Sequence, residues 1–172
     1  EEAPTITEWG NVLLDACESL GVRSRVSVEP GRAIVASAAI TLYTVGTVKD
    51  IPGVRTYVSV DGGMSDNPRP VLYGSGYETF LPRAVDAPRD KVVRVVGKHC
   101  ESGDVLAFAA EVPSDIAVGD LLATPVTGAY GHSMGSNYNK ITRPPVVFAA
   151  GGEVRLVVRR ERYDDLLLTD VG

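Results

Sequence analysis

From residue 35 onward the chain consists of short segments rich in β-branched and other apolar residues. They lie at 56–60, 92–96, 105–108, 121–123, 146–148 and 154–158, and each is bounded by glycine, proline, aspartate or asparagine. Regularly spaced segments of this length are typical of an antiparallel β-sandwich or barrel. Residues 35–48 alternate over a longer stretch, with Gly46 where a bulge is expected. The sequence therefore predicts a mainly β fold, with 18 glycines and 11 prolines to supply turns.

One amphipathic helix precedes these segments. Thr5 and Glu8 have the spacing of a capping box, and Gly21 stands where a left-handed C-terminal cap belongs. The helix presents an apolar stripe of Ile6, Trp9, Leu13, Cys17 and Leu20. Residues 25–28 then predict a short strand that leads into a Pro-Gly turn. A helix followed by a strand is half of a βαβ unit and cannot bury both faces alone, so we expect its neighbours upstream of Glu1.

Composition excludes several classes of protein. A net charge of −5 and a pI of about 5.0 argue against a nucleic-acid partner. No apolar run reaches the ~18 residues that a membrane span requires. Cys17 and Cys100 are the two cysteines of the chain, too few for a disulfide framework, which favours a reducing compartment. Two cysteines and two histidines also disfavour a structural zinc site, and we predict no metal.

The segment 131–135 matches the G-x-S-x-G motif of serine hydrolases. That motif requires a preceding strand and a following helix, yet the next residues are polar and lead to Pro144 and Pro145. The hydrolase order also requires a downstream histidine, and His132 is the last in the chain. The sequence favours instead a glycine-rich loop that lets the backbone approach a ligand.

Two polar segments are candidate sites, each with an ordinary structural alternative. Residues 99–104 place a thiol, Cys100, beside acidic and hydroxyl groups, and a protonated thiol is a possible acid catalyst. The alternative is a polar hairpin with a partly buried cysteine. Arg69 lies between two prolines, a stiff backbone suited to bidentate binding of a carboxylate. The alternative is an exposed loop arginine.

Two further segments are equally open on physical grounds. Residues 29–32, Glu-Pro-Gly-Arg, end the predicted strand at 25–28, and their amides and arginine could bind a phosphate. They could equally form a surface turn with an ion pair. Tyr130 lies in a stretch flanked by Gly128 and Gly131, and its ring could stack on a ligand or pack in the core.

Taken together, segments 28–32, 60–73, 100–104 and 128–131 stand in an order that resembles the carboxy-terminal part of the diaminopimelate decarboxylases. These are pyridoxal 5′-phosphate (PLP) enzymes of the alanine-racemase-like fold type. The likeness runs from about Thr5 to the end of the chain. The related ornithine and arginine decarboxylases share the Glu-Pro-Gly-Arg element but lack this combination of the other segments.

The resemblance implies an N-terminal (β/α)8 barrel that holds PLP, followed by a β-sandwich-like domain. Residues 1–34 then correspond to the last helix and strand of the barrel, and residues 35–172 to the β domain. The resemblance implies that Glu29 faces the pyridine nitrogen and that Gly31 and Arg32 lie at the cofactor phosphate. The implied cofactor-binding residues are Glu29, Pro30, Gly31, Arg32 and Tyr130.

The resemblance also implies how substrate is bound. Arg69 and Tyr73 hold the distal carboxylate and Glu101 the distal ammonium, so that both groups are recognised. The implied substrate-binding residues are Arg32, Arg69, Tyr73, Glu101 and Tyr130. Cys100 is the acid that returns a proton to the α-carbon after decarboxylation. The Cys-Glu segment reaches into the partner subunit's site, so the implied active unit is a homodimer with shared sites.

The lysine that forms the Schiff base with PLP belongs to the barrel in this family. The lysines here are Lys49, Lys91, Lys98 and Lys140, and none lies in the matching motif. We therefore expect an inactive fragment of a cytoplasmic enzyme that converts meso-2,6-diaminopimelate to L-lysine and CO2. The alternatives are a decarboxylase of ornithine, arginine or a carboxylated polyamine, and a non-enzymic β dimerisation module.

Overall fold

The computed structural model of the protein describes residues 4–172, and its regular structure is mainly β strand. The helices are α1 (Ile6–Ser19), α2 (Gly31–Val35) and α3 (Arg69–Tyr73). The strands are β1 (Ile40–Ile51), β2 (Arg55–Val60), β3 (Lys91–Val96), β4 (Val105–Val112), β5 (Leu121–Pro125), β6 (Val146–Ala150) and β7 (Glu153–Val158). The prediction of a mainly β fold is confirmed. None of the helices in this range is long and apolar enough to cross a bilayer.

Five strands form one sheet in the order β4-β3-β2-β1-β5, and β6 and β7 form a separate hairpin. The pairing of β2 with β3 is parallel, whereas the other pairings are antiparallel. The sequence predicted antiparallel strands, and this one pairing differs because the connection at 61–90 is long enough to return to the starting edge of β2. That long connection carries α3 and therefore several predicted site residues.

The core lies against one face of the five-stranded sheet. In β2 and β3 every second residue is buried, so Val58 and Val95 point into the core while their neighbours are more exposed. Leu81 and Leu122 close the core and are fully buried. The expected bulge at Gly46 is confirmed by a shift in register between Val45 and Thr47.

The N-terminal helix has the predicted ends. The Oγ1 atom of Thr5 accepts a hydrogen bond of 3.2 Å from the backbone N–H of Glu8, whose carboxylate accepts one of 2.7 Å from the backbone N–H of Thr5. Gly21 adopts a left-handed φ of 65° after the helix. The apolar stripe, however, remains uncovered, because α1 buries none of its side chains within the described structure.

Three local predictions differ from the structure. The strand predicted at 25–28 is not found, because no residue in 4–172 forms a ladder with this segment. The strand predicted from residue 35 begins only at Ile40, since the alanine-rich stretch before it continues α2 into the 3₁₀ turn Ala36–Ala38. The apolar leucines within residues 161–170 predict one short helix, whereas the structure forms only the 3₁₀ turn Tyr163–Leu167 there. The division between residues 1–34 and 35–172 remains a prediction.

Candidate functional site

The segment that follows β5, residues 126–140, contacts three parts of the chain that carry predicted site residues. We call it the linking loop. It runs from the end of the α2 helical segment, past α3, to the turn that bears Cys100 and Glu101. One stretch of chain therefore organises segments that are far apart in sequence.

The linking loop begins against the C-terminal end of α2. The backbone N–H of Gly128 donates to the carbonyl oxygen of Ala36 at 2.9 Å. A Cβ atom on Gly128 would overlap the carbonyl oxygen of Val35, so no larger residue fits there without movement. Glu29 and Arg32, at the other end of this helical segment, are exposed and form no side-chain hydrogen bond or ion pair within residues 4–172. A carboxylate and a guanidinium are thus available to a ligand.

Arg69, Tyr73 and Tyr130 form a contact cluster. The guanidinium carbon of Arg69 lies 5.3 Å from the ring centre of Tyr73 and 5.4 Å from that of Tyr130. Tyr130 reaches this position with a left-handed φ of 60°, which is strained for a residue other than glycine. The Nη2 atom of Arg69 lies 3.5 Å from the Oγ atom of Ser75, a weak contact that leaves most of its donors free. An arginine that contacts two aromatic rings and keeps most of its donors free is suited to bidentate binding of a carboxylate.

Cys100 and Glu101 lie at the exposed tip of a turn that a buried aspartate organises. The carboxylate of Asp104 accepts hydrogen bonds from the backbone N–H groups of Met64 at 2.7 Å and His99 at 2.8 Å. Asp104 is only 3% exposed. A Cβ atom on Gly63 would lie 2.7 Å from this carboxylate, which explains the glycine at that position. The Cys-Glu turn is therefore fixed at its base to the loop after β2.

His99 and Tyr138 lie next to this tip. The Nε2 atom of His99 is 2.9 Å from the Oγ atom of Ser65, and the imidazole is edge-on to the ring of Tyr138 with centroids 5.6 Å apart. The hydroxyl of Tyr138 donates to the Oε1 atom of Glu101 at 2.5 Å. This hydrogen bond raises the pKa of Tyr138, so its phenol remains protonated. The carboxylate of Glu101 is thereby held in one direction by a neutral donor.

A second buried contact supports the loop after β2 from beneath. The hydroxyl of Tyr43 donates to the carboxylate of Asp66 at 2.7 Å, and the same carboxylate accepts from the backbone N–H of Gly63 at 2.9 Å. Burial raises the pKa of Asp66, and it raises that of Tyr43 further, because both groups lose water. The loop between β2 and α3 is therefore fixed by side chains on both of its faces.

The predicted site residues do not line either of two cavities found within residues 4–172. A cavity of about 40 Å³ lies beside Tyr43 and Lys98, and one of about 290 Å³ lies beside Tyr77 and Glu111. The Arg69 cluster and the Cys-Glu turn lie instead on open surface. A ligand bound there would contact this chain on one side only.

Sequence reasoning found some of these residues and missed others. It singled out Arg69, Tyr73 and Tyr130, which the structure brings into contact. It did not assign a role to Tyr138, because only a contact between distant parts of the chain reveals one. The serine of the G-x-S-x-G segment lies in the short 3₁₀ turn His132–Met134, without the helix that a nucleophile elbow requires.

Comparison with known proteins identifies the family of the chain. Residues 17–128 match the family model described as pyridoxal-dependent decarboxylase, C-terminal sheet domain, and the chain belongs to that family. Among curated relatives, the diaminopimelate decarboxylase of Bacillus subtilis is 52% identical over 170 residues, which is 96% of this chain and 38% of that protein. The diaminopimelate decarboxylase of Mycobacterium tuberculosis H37Rv is 48% identical over 181 residues, covering 99% and 40%.

Solved structures show the same relationship. The diaminopimelate decarboxylase from M. jannaschii in complex with L-lysine superposes with a TM-score of 0.86 at 32% identity, over 100% of this chain and 39% of that one. A lysine/ornithine decarboxylase from Vibrio vulnificus superposes with a TM-score of 0.58 at 22% identity, over 73% of this chain and 34% of that one, which shows the shared fold alone. The chain spans 33% to 40% of the length of the first curated relatives that it matches.

Proposed function

We propose that the chain is the C-terminal part of a PLP-dependent diaminopimelate decarboxylase, which converts meso-2,6-diaminopimelate to L-lysine and CO2 in the cytoplasm. The observation that carries this proposal is that the linking loop contacts two recognition groups of opposite charge, which in a homodimer would serve two copies of the same site. At Tyr130 the loop contacts Arg69, a binding group for a carboxylate, and at Tyr138 it contacts Glu101, a binding group for an ammonium. An amino-acid end group carries both charges.

The two groups match the distal end of diaminopimelate, the end that does not react. Arg69 would bind its carboxylate, with Tyr73 adding a hydroxyl beside the guanidinium, and Glu101 would bind its ammonium. Ornithine has an ammonium but no carboxylate at its distal end. If ornithine bound, the positive charge of Arg69 would have no carboxylate to pair with. The unpaired charge disfavours ornithine relative to diaminopimelate.

The residues of this chain fit one side of a bound PLP. Glu29 would hold a proton on the pyridine nitrogen, and both its carboxylate and the Arg32 guanidinium are exposed and unpaired within residues 4–172. Gly31 and Arg32 would bind the phosphate, with Pro30 fixing the backbone before them, and Tyr130 would pack beside the ring and touch the substrate. When bound, PLP supplies an electron sink for the pair left behind by CO2. The lysine that binds PLP would come from another part of the enzyme.

Cys100 would donate its thiol proton to the α-carbon from which CO2 has left. The thiol is exposed at the tip of the Cys-Glu turn, whose base Asp104 fixes. An exposed tip on a rigid base is suited to enter a site formed by another subunit. We therefore propose a homodimer in which Cys100 and Glu101 complete the partner subunit's site, and Arg32 contacts substrate from its own. We propose no nucleic-acid or membrane partner.

Turnover of a substrate panel tests this function. The full-length enzyme that contains this chain is loaded with PLP and given meso-diaminopimelate, L-ornithine or L-arginine, and CO2 and the amine products are measured. We expect L-lysine and CO2 from diaminopimelate and at least about 10⁴-fold lower kcat/KM with the other two, the scale for a site whose buried polar groups are left unpaired. Turnover of ornithine or arginine with none of diaminopimelate would contradict the proposal, as would no decarboxylation of any of the three.

A further inference from the structure

Tyr138 is joined to Glu101 by the shortest hydrogen bond at the Cys-Glu turn, at 2.5 Å between the phenol oxygen and Oε1. We propose that Tyr138 is a positioning residue, which orients the Glu101 carboxylate so that its other oxygen receives the distal ammonium of the substrate. This inference rests on the proposed function, because it assumes the role given there to Glu101. It adds a residue that determines how strongly the ammonium is recognised.

The carboxylate needs such a partner because it lies on an exposed turn. A glutamate side chain has several free rotations, and holding it in one rotamer costs conformational entropy. The hydroxyl of Tyr138 fixes Oε1, whereas Oε2 accepts no hydrogen bond from any residue in 4–172. One oxygen is therefore oriented and the other is left for a ligand.

Tyr138 is itself held by buried contacts. Its ring lies edge-on to His99, which is 8% exposed and bonded through Nε2 to the hydroxyl of Ser65. The backbone N–H of the neighbouring Ser136 donates to the carbonyl oxygen of Ser65 at 2.8 Å. A series of contacts therefore connects Ser65, in the loop after β2, through His99 and Tyr138 to the exposed carboxylate of Glu101.

The residue on the N-terminal side of Tyr138 is fixed from a different direction. The side-chain amide of Asn137 donates to the Oε2 atom of Glu161 at 2.6 Å, and Glu161 also pairs with Arg143 at 2.6 Å. The hydrogen bond from Arg143 lowers the pKa of Glu161, so this acceptor stays ionised at neutral pH. Tyr138 is thus placed by contacts on both sides of the linking loop.

A phenol suits this role better than a cationic side chain. A lysine or arginine bound to Glu101 would neutralise the carboxylate and compete with the substrate's ammonium. The phenol is a neutral donor, so Glu101 keeps its full negative charge while its direction is fixed. Because the phenol of Tyr138 carries no positive charge, it does not attract the carboxylate of the substrate. Its effect is therefore confined to recognition of the ammonium.

The test uses Tyr138→Phe in the full-length, PLP-loaded enzyme, which keeps the ring beside His99 and removes only the hydroxyl. Two inhibitors of diaminopimelate turnover are compared: L-lysine, and 6-aminohexanoate, which lacks the distal ammonium. We expect the inhibition constant of L-lysine and the KM of diaminopimelate to rise about tenfold, the scale for a lost hydrogen bond to a charged group. The inhibition constant of 6-aminohexanoate and kcat should change less than about threefold. Tyr163→Phe, at an exposed tyrosine outside the linking loop, is the matched control and should leave all four values unchanged.

Two results would overturn the inference. Inhibition by L-lysine could stay within twofold of the wild type, or both inhibitors could weaken equally, which would show a general loss of structure rather than of orientation. A wild-type enzyme that does not turn over diaminopimelate at all would contradict the proposed function, and that result is distinct from either of these.

Discussion

Arg69 is the residue on which the proposed substrate depends most. Its guanidinium carbon lies 5.3 Å from the ring centre of Tyr73 and 5.4 Å from that of Tyr130, and a lysine ammonium would lack the planar fork that binds a carboxylate with two hydrogen bonds. The two prolines around Arg69 were enough to predict a fixed arginine. The contact with Tyr130 could not be predicted from spacing, because Tyr130 lies far along the chain from Arg69 and meets it only in the fold.

Replacing Arg69 by alanine should weaken diaminopimelate binding by about 2–5 kcal/mol, the scale for removing one partner of a charge pair that the bound substrate would form and bury. Equilibrium binding of diaminopimelate or L-lysine to the full-length enzyme measures this. Arg94→Ala is a suitable control, since Arg94 also lies over an aromatic ring, that of Phe108 at 5.2 Å. An affinity within twofold of the wild type in the Arg69 variant would exclude the proposed role.

Cys100→Ala in the full-length enzyme should leave the absorbance of bound PLP near normal and lower turnover by roughly 10²-fold or more, the usual scale for a lost general acid. The reason is that the thiol donates a proton but does not hold the cofactor. Cys17→Ala, at the half-buried cysteine of α1, is the control for loss of a thiol. Unchanged turnover would remove Cys100 from the mechanism.

At the level of elements, the linking loop is the feature that the sequence could not predict. Periodicity predicted α1 and most of the strands, because their apolar residues recur at the fixed spacing of a helix or a strand. The linking loop has no such period, since its contacts are backbone hydrogen bonds and single side chains that reach segments far apart in sequence. The strand predicted at 25–28 is not formed, because a strand requires a neighbouring strand to pair with its backbone hydrogen-bonding groups. Sequence periodicity does not show whether such a neighbour is present.

Gly128→Ala tests how the linking loop is seated. The added Cβ would overlap the carbonyl oxygen of Val35, and the overlap can be relieved only by moving the loop from α2. We expect the full-length enzyme to lose about 1–3 kcal/mol of stability, the usual cost of overpacking, and to bind PLP more weakly. Thermal unfolding and PLP titration measure the two effects.

Gly76→Ala provides the matched control for this change. A Cβ atom at Gly76 would meet no atom within 4 Å, so stability and PLP affinity should stay close to those of the wild type. If Gly128→Ala also left both values unchanged, the contact between the linking loop and α2 would have no part in the site.

For the molecule as a whole, residues 4–172 leave two apolar surfaces uncovered. Helix α1 buries no side chain and leaves Trp9 43% exposed. The β6–β7 hairpin exposes residues on both faces, among them Phe148 and Leu156. Under the proposed function the remainder of the enzyme covers these surfaces. The alternation of apolar residues was enough to predict the β fold. The proposed substrate class came only from the resemblance carried by four motifs, because a periodic pattern of apolar residues shows packing and not what the protein binds.

The isolated 172-residue chain should therefore bind a hydrophobic dye such as ANS and self-associate, whereas the full-length enzyme should bind far less dye per chain. Dye fluorescence and size-exclusion chromatography at matched concentrations measure both properties. A monomeric isolated chain with no more dye binding than the full-length enzyme would show that these surfaces need no cover.

A crystal structure of the full-length enzyme with PLP and L-lysine tests most directly whether Arg69 of one subunit and Glu101 of the other bind the two charges of one amino-acid end. We expect the lysine carboxylate within about 2.7–3.2 Å of the Arg69 guanidinium, and the α-ammonium at a similar distance from a Glu101 carboxylate held by Tyr138. Lysine bound at the cofactor with neither Arg69 nor Glu101 in contact with it would contradict the proposed recognition.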